Sequence, residues 1–97
     1  MNQSNFDNDT VKEVSVFLQN YMKSEDIAFL TADEAALLLA QNKILPNDVG
    51  PKPGFNFRQM LRDGRDGLID KILGVYQERP NTRWFIYRHD NRPLGKH

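Results

Sequence analysis

Residues 75–88 have the sequence VYQERPNTRWFIYR, in which two strand-like runs flank a turn. The turn, Pro80-Asn81-Thr82, consists of residue types that favour tight reversals of the backbone. The run that follows it, Trp-Phe-Ile-Tyr at 84–87, is the strongest strand signal in the chain. We therefore predict a β-hairpin near the end of the sequence, with Trp84 and Ile86 facing the core.

A first helix is expected far upstream of the hairpin, from Thr10 to about Lys23. Thr10 and Glu13 are spaced as a capping box, and residues 1–9 before them are expected to form a disordered lead-in. An apolar stripe follows at helical spacing, formed by Val11, Val14, Leu18, Tyr21 and Met22. Such a stripe either packs on its own domain, which is the commoner outcome, or forms a homodimer through the first helix.

A short strand and a second helix come next. Residues 27–30 are apolar and suit one strand, and Thr31 with Glu34 forms a second capping box. The residues from Ala35 to Ala40 are all Ala or Leu, so this helix should be largely buried. Residues 45–54 contain three prolines and two glycines and predict a loop.

A third helix is expected after this loop. Phe57, Met60 and Leu61 give it an inward face, and Gly64 is expected to stop or bend it. Apolar residues between 68 and 73 suggest a further helical turn or two before the hairpin. The elements together predict one α+β domain over residues 10–89, and the polar residues 90–97 are expected to form a flexible tail.

The composition argues against an enzyme. The chain has no Cys, two His and no glycine-rich phosphate loop. Nucleophilic, metal-assisted and phosphate-loop chemistry each lack the residue set that they require. Asp63, Asp66 and Asp70 could hold a magnesium ion, but each has a basic neighbour, so we expect no metal and no cofactor.

A cytoplasmic location is the default expectation. The first residues are polar and partly acidic, unlike a signal peptide. No apolar run approaches the ~20 residues that a membrane span needs.

The two halves of the chain carry opposite charge, although the formal net charge is zero. Residues 1–51 contain eight acids and three bases, a balance of −5, whereas residues 52–97 contain ten bases and five acids, a balance of +5. Seven of those ten bases are Arg, whose planar guanidinium binds phosphate in a bidentate manner. This asymmetry points to a surface for nucleic acid or an acidic partner, although it is also compatible with a solvated face.

Arginines recur on the third helix. Arg58, Arg62 and Arg65 are spaced at i, i+4 and i+7 and share one face if the helix is continuous, with Gln59 beside them. Arg and Gln are the residue types that read guanine and adenine edges from a helix in the major groove. The alternative is an ordinary solvated face that acids of the same helix balance.

A second basic cluster lies at the tip of the predicted hairpin. It consists of Arg79, Asn81 and Arg83, which are placed where a wing would contact the DNA backbone or minor groove. Trp84 and Tyr87 could stack on bases, but aromatic residues on a strand are more often part of the core.

At residues 27–89 the chain resembles the winged-helix domain of phage excisionases and MerR-type regulators. The resemblance lies in the strand at 27–30, the helix start TADEAA at 31–36, the helix RQMLRDG at 58–64 and the strand RWFIYR at 83–88. It implies a small winged helix-turn-helix-like domain with three main helices, a C-terminal β-hairpin wing and an extra N-terminal helix. It also implies binding of double-stranded DNA by Arg58, Gln59, Arg62, Arg65, Arg79, Asn81 and Arg83.

Two features depart from that family. The segment 42–54 is long and proline-rich, whereas the family has a tight turn at this place. The segment 66–73, which precedes the predicted wing, is also longer than in the family. Either departure can turn the third helix away from a DNA groove while the fold is kept.

Two functions remain open at this point. The first is a small non-enzymatic DNA-binding protein, either a transcriptional regulator or an excisionase-like architectural factor. The second is a protein–protein interaction module on the same scaffold, an inhibitor or adaptor of the phage or mobile-element type. It docks an acidic protein partner on its basic face, or a partner helix on the apolar face of the first helix. Binding that weakens steeply with salt favours the first function. Binding that survives the loss of Arg58 and Arg62 favours the second.

Overall fold

The computed structural model describes residues 4–79 and 82–89. Its elements are α1 (Asn8–Ser24), β1 (Phe29–Thr31), α2 (Ala32–Gln41), α3 (Phe55–Arg65), β2 (Val75–Gln77) and β3 (Trp84–Tyr87). The strands form one antiparallel sheet in the order β1-β3-β2. The predicted α+β class is therefore confirmed for the described residues. None of their helices is long and apolar enough to cross a membrane.

The sheet has one face against the helices and one face toward solvent. Leu30, Ile86 and Val75 are cross-strand neighbours, and the predicted inward orientation of Trp84 and Ile86 is confirmed, since both are buried. The outer face carries a cluster of aromatic side chains with ring centroids 5.3–6.0 Å apart, formed by Phe29, Tyr76, Phe85 and Tyr87. Edge-to-face packing is common among them, as in protein interiors.

The core lies between the inner face of the sheet and the three helices. Its largest fully buried side chains are Phe57, Leu18, Met22, Leu39, Met60, Ile86 and Val14. Four residues of the α1 stripe, Val11, Val14, Leu18 and Met22, are buried inside their own chain, and Tyr21 is half-buried. The alternative of a homodimer through this helix stays a prediction.

The start of α1 differs from the sequence-based prediction. The helix begins at Asn8, and its N-cap is Asp7, whose carboxylate accepts a hydrogen bond of 2.8 Å from the Thr10 backbone N–H. The predicted capping box of Thr10 and Glu13 is therefore wrong, because Thr10 already lies inside the first turn. Hydrogen bonds from Thr10 hold the pKa of the Asp7 carboxyl below its ordinary value.

The predicted capping box at the start of α2 is confirmed. The Thr31 hydroxyl accepts from the Glu34 backbone N–H, and the Glu34 carboxylate accepts from the Thr31 backbone N–H. The loop that follows, residues 42–54, is held to α3 by side chains. The Asn47 side-chain Oδ1 accepts from the Gly54 N–H at 2.6 Å, and the Asn56 side-chain amide donates to the Pro46 backbone carbonyl at 3.1 Å.

Helix α3 passes through Gly64, so of the alternatives that the sequence left open the structure shows a continuous helix rather than a stop at this glycine. Gly64 instead allows a close approach, because an added Cβ would lie 3.1 Å from the Asp70 carbonyl oxygen. The helix ends at Arg65, and Gly67, with a φ of +81°, provides the left-handed residue that follows it.

The expected helical turn between residues 68 and 73 is also wrong. This segment is irregular because side chains of α1 bind its backbone. The Asp70 N–H donates to the Asn8 side chain at 2.8 Å, and the Leu73 N–H donates to the Ser15 hydroxyl at 3.0 Å. The described residues therefore contain three helices in all, and α1 is one of them. The prediction of three main helices and an additional N-terminal helix is wrong by one helix.

Gln19 of α1 links three distant backbone groups. Its side chain is buried; the amide donates to the carbonyls of Leu73 and Tyr87 at 3.1 and 3.0 Å, and its carbonyl accepts from the His89 N–H at 2.8 Å. Because unpaired polar groups are costly in a buried setting, this side chain fixes the ends of β3 and of segment 66–74 relative to α1.

The cap at Asp7 predicts a specific pH dependence. A folded-state pKa below that of the unfolded chain means that the carboxylate stabilises the fold above its ordinary pKa, and that this stabilisation is lost as the pH falls through the lowered value. Asp7→Asn keeps a capping oxygen but cannot titrate. The difference in unfolding free energy between the native protein and Asp7→Asn should be constant near neutral pH. It should shift in favour of Asp7→Asn below about pH 4. A difference that does not change with pH in urea titrations would contradict this role.

The surroundings of Gly74 and Gly67 predict that substitution by Ala destabilises the protein much more at Gly74 than at Gly67. The φ of Gly74 is +87°, and an added Cβ would overlap the Tyr87 carbonyl oxygen. Gly67 has a φ of +81° but open space at the Cβ position. Gly67→Ala should therefore lose only the left-handed backbone term of about 1–2 kcal/mol. Gly74→Ala should lose clearly more in urea unfolding, and equal losses would show that the sheet relaxes around the new methyl group.

Candidate nucleic-acid interface

A groove of about 590 Å³ lies between the exposed face of α3, the start of α2 and the β2–β3 hairpin. We call it the arginine groove. It is lined by Thr31, Ala32, Asp33, Arg58, Arg62, Arg65, Gln77, Thr82, Arg83 and Trp84. Among these described residues, four guanidinium groups face one carboxylate, so the lining has a net charge of +3.

Helix periodicity brings three of the four arginines together. Arg58, Arg62 and Arg65 lie at i, i+4 and i+7 of α3, and the helix is continuous through Gly64, so Arg65 stays on the same face. Arg83, which directly precedes β3, also lines the groove. It is exposed, and it forms no ion pair with the part of the chain that the structure describes.

Each arginine of α3 is held in place by a different contact. Arg58 is paired with Asp33 of α2. The Arg62 guanidinium lies 5.5 Å from the centroid of the Phe55 ring and donates to the Gln59 side-chain carbonyl at 2.8 Å. The Arg65 guanidinium lies 5.8 Å from the centroid of Trp84. Such contacts restrict the side chains before a ligand binds, which lowers the entropy lost on binding.

Gln59 is not among the residues that line the groove. Its amide donates to the Asp63 carboxylate at 2.8 Å, and the same carboxylate, which is buried, accepts from the Ser4 hydroxyl at 2.6 Å. Both ends of the Gln59 side chain are thus engaged. In this arrangement it positions Arg62, which differs from the base-reading role that the sequence suggested.

The predicted hairpin cluster is divided between two adjacent cavities. Arg79 is exposed and borders a second cavity, whereas Arg83 lines the arginine groove. Asn81 lies outside the described residues.

Several groove residues have no signal of function in the sequence. Thr31 is the N-cap of α2 and Asp33 lies in its first turn, and neither was predicted to belong to a binding site. Gln77 and Thr82 form part of the hairpin, where the Gln77 amide donates to the Thr82 carbonyl at 2.8 Å. Among the described residues, no group of three or more His, Asp or Glu could hold a metal ion.

Arg65 predicts a spectroscopic effect, because Trp84 is the single Trp of the chain. Its indole is buried and lies beneath the Arg65 guanidinium. Arg65→Ala should admit water to the ring and shift the fluorescence emission to longer wavelength. Asp66→Ala, which removes only the partner of the 3.2 Å Arg65–Asp66 ion pair, should leave the emission unchanged. An unshifted spectrum in Arg65→Ala would show that other groups shield the indole.

Comparison with known proteins found no family, curated protein or solved structure that matches this chain.

Proposed function

We propose that the protein binds double-stranded DNA and carries out no chemistry of its own, as a transcriptional regulator or an architectural factor. The observation that carries this proposal is the arginine groove, where four guanidinium groups converge between a helix and a hairpin. A concave basic surface between two such projections matches a sugar–phosphate backbone, which carries a regular row of negative charges.

The order of the elements supports a winged-helix arrangement. A strand, two helices and a hairpin follow one another as β1, α2, α3, β2 and β3, and β3 lies between β1 and β2 in the sheet. In such an arrangement α3 is the recognition helix and the hairpin is the wing. No residue of the long loop between α2 and α3 lines the arginine groove, so the loop leaves this surface open.

The contacts of the arginines suggest a different role in DNA binding for Arg83 and for Arg62. Arg83 is exposed and unpaired within the described chain, so it is suited to a phosphate contact from the hairpin side. Arg62 lies in the last turn of α3, where Phe55 and Gln59 orient its guanidinium. A guanidinium fixed in this way can form the bidentate contact with guanine.

Asp33 limits the affinity of this surface. Its side chain is 70% exposed and is paired with Arg58 at the edge of the groove. A phosphate that approaches Arg58 must therefore compete with a carboxylate that is already present. This moderates non-specific attraction to DNA, which is consistent with a chain of zero net charge.

The first test is fluorescence anisotropy of a labelled random 20-base-pair duplex at two salt concentrations. If three or four phosphates are neutralised, affinity should fall roughly 40- to 150-fold between 50 and 200 mM salt. Arg83→Ala should make the salt dependence shallower by about one unit of slope. Arg62→Ala should lose about 1–3 kcal/mol on a selected site if it reads a base, and should lose the same amount on every sequence if it contacts phosphate.

Lys43→Ala is the matched control, because Lys43 is an exposed base outside the groove. It should change neither affinity nor slope beyond the error of the titration. Absence of binding at 50 mM salt would refute the DNA proposal. The arginines would then be assigned to an acidic protein partner.

A further inference from the structure

A second cavity, of about 380 Å³, lies beside the free edge of β2. We call it the β2 groove. Its floor is apolar and is formed by Leu61, Ile72, Val75 and Trp84. Its volume falls within the range of about 300–1,000 Å³ that is typical of ligand clefts in proteins.

The rim of the β2 groove is basic. Arg65, Lys71 and Arg79 border it, and Glu78 is the one acid among its described lining residues. All four are exposed. The cavity therefore combines an apolar floor with a rim of excess positive charge. It is adjacent to the arginine groove, and Arg65, Gln77 and Trp84 line both cavities.

Within the described residues, the outer edge of β2 has backbone groups without a hydrogen-bond partner next to this cavity. The Tyr87 N–H donates to the Gly74 carbonyl at 2.9 Å. Hydrogen-bonded and non-hydrogen-bonded pairs alternate along an antiparallel ladder, so the backbone N–H and C=O of Tyr76 point toward β3, and those of Val75 and Gln77 point away from it. The Val75 N–H is taken by the Ile72 carbonyl at 3.1 Å. The Val75 carbonyl and both backbone groups of Gln77 therefore face the open side of the sheet.

We propose that the β2 groove binds an extended acidic peptide segment of a partner protein, which adds a fourth strand beside β2. Such a strand satisfies the open backbone groups of Val75 and Gln77. Alternate side chains of the peptide, if apolar, cover the floor of the groove, while those on the other face pack beside Tyr76, which is 37% exposed in the aromatic cluster. Carboxylates at the ends of the segment pair with Lys71 and Arg79.

A peptide fits this cavity better than a nucleic acid does. A phosphodiester chain has no alternating N–H and C=O groups to match a strand edge, and it gains nothing from a floor of Leu61, Ile72 and Val75. The charge lies on the rim, where it selects an acidic partner without burying a cation. This function goes beyond DNA binding, because Lys71 and Arg79 are not part of the arginine groove.

The test uses the full chain labelled with ¹⁵N and the synthetic peptide acetyl-Asp-Val-Glu-Val-Asp-Val-Glu-amide as the probe. Binding should shift the amide signals of Val75, Gln77 and Glu78 most strongly. A peptide with Lys in place of each acid should bind at least roughly tenfold more weakly. A peptide N-methylated at alternate residues on its pairing edge should lose the shifts, because it cannot donate to a strand.

Charge reversal on the rim supplies the matched variants. Lys71→Glu and Arg79→Glu should each weaken the acidic peptide by roughly five- to tenfold, whereas Lys43→Glu should leave its affinity unchanged. Three outcomes would overturn the proposal: no shift at millimolar peptide, equal binding of the N-methylated peptide, or shifts confined to the arginine groove. A 20-base-pair duplex that shifts the same β2 signals and is weakened by Lys71→Glu would assign the rim to nucleic acid instead.

Discussion

Strand β3 holds the described domain together, because it pairs with β1 on one edge and with β2 on the other. Its inward residues, Trp84 and Ile86, seal the core, and its outward residues, Phe85 and Tyr87, form the centre of the aromatic cluster. The Gln19 amide then ties the end of β3 to α1 through the Tyr87 carbonyl. Sheet, core and first helix thus depend on four strand residues and one buried polar side chain.

Local patterns in the sequence predicted those parts of the fold that local physics determines. The alternation at 84–87 gave the correct inward face, and the spacing of Thr31 and Glu34 gave the correct cap, since both depend on neighbours only a few residues away. The helical periodicity of about 3.6 residues likewise placed Arg58, Arg62 and Arg65 correctly on one side of α3.

Long-range hydrogen bonds explain why segment 68–73 could not be predicted. Its apolar spacing is compatible with a helix, but Asn8 and Ser15 bind the backbone of that segment from the other end of the chain, and such partners are adjacent only after folding. Gln59 failed for a different reason. It has the residue type of a base-reading side chain, yet Asp63 and Arg62, its neighbours on the same helix, engage both of its ends, and residue type alone does not show which partner a side chain takes.

The central position of β3 also constrains how the chain is made. Phe29 and Leu30 are synthesised long before their partners, Tyr87 and Ile86. Pairing over such a separation requires a large loop to close, which is slow compared with helix formation. The part of α2 that packs on β3 therefore stays uncovered in the nascent chain until this strand is made. Slow or interrupted translation just before Trp84 would prolong this exposed, aggregation-prone state.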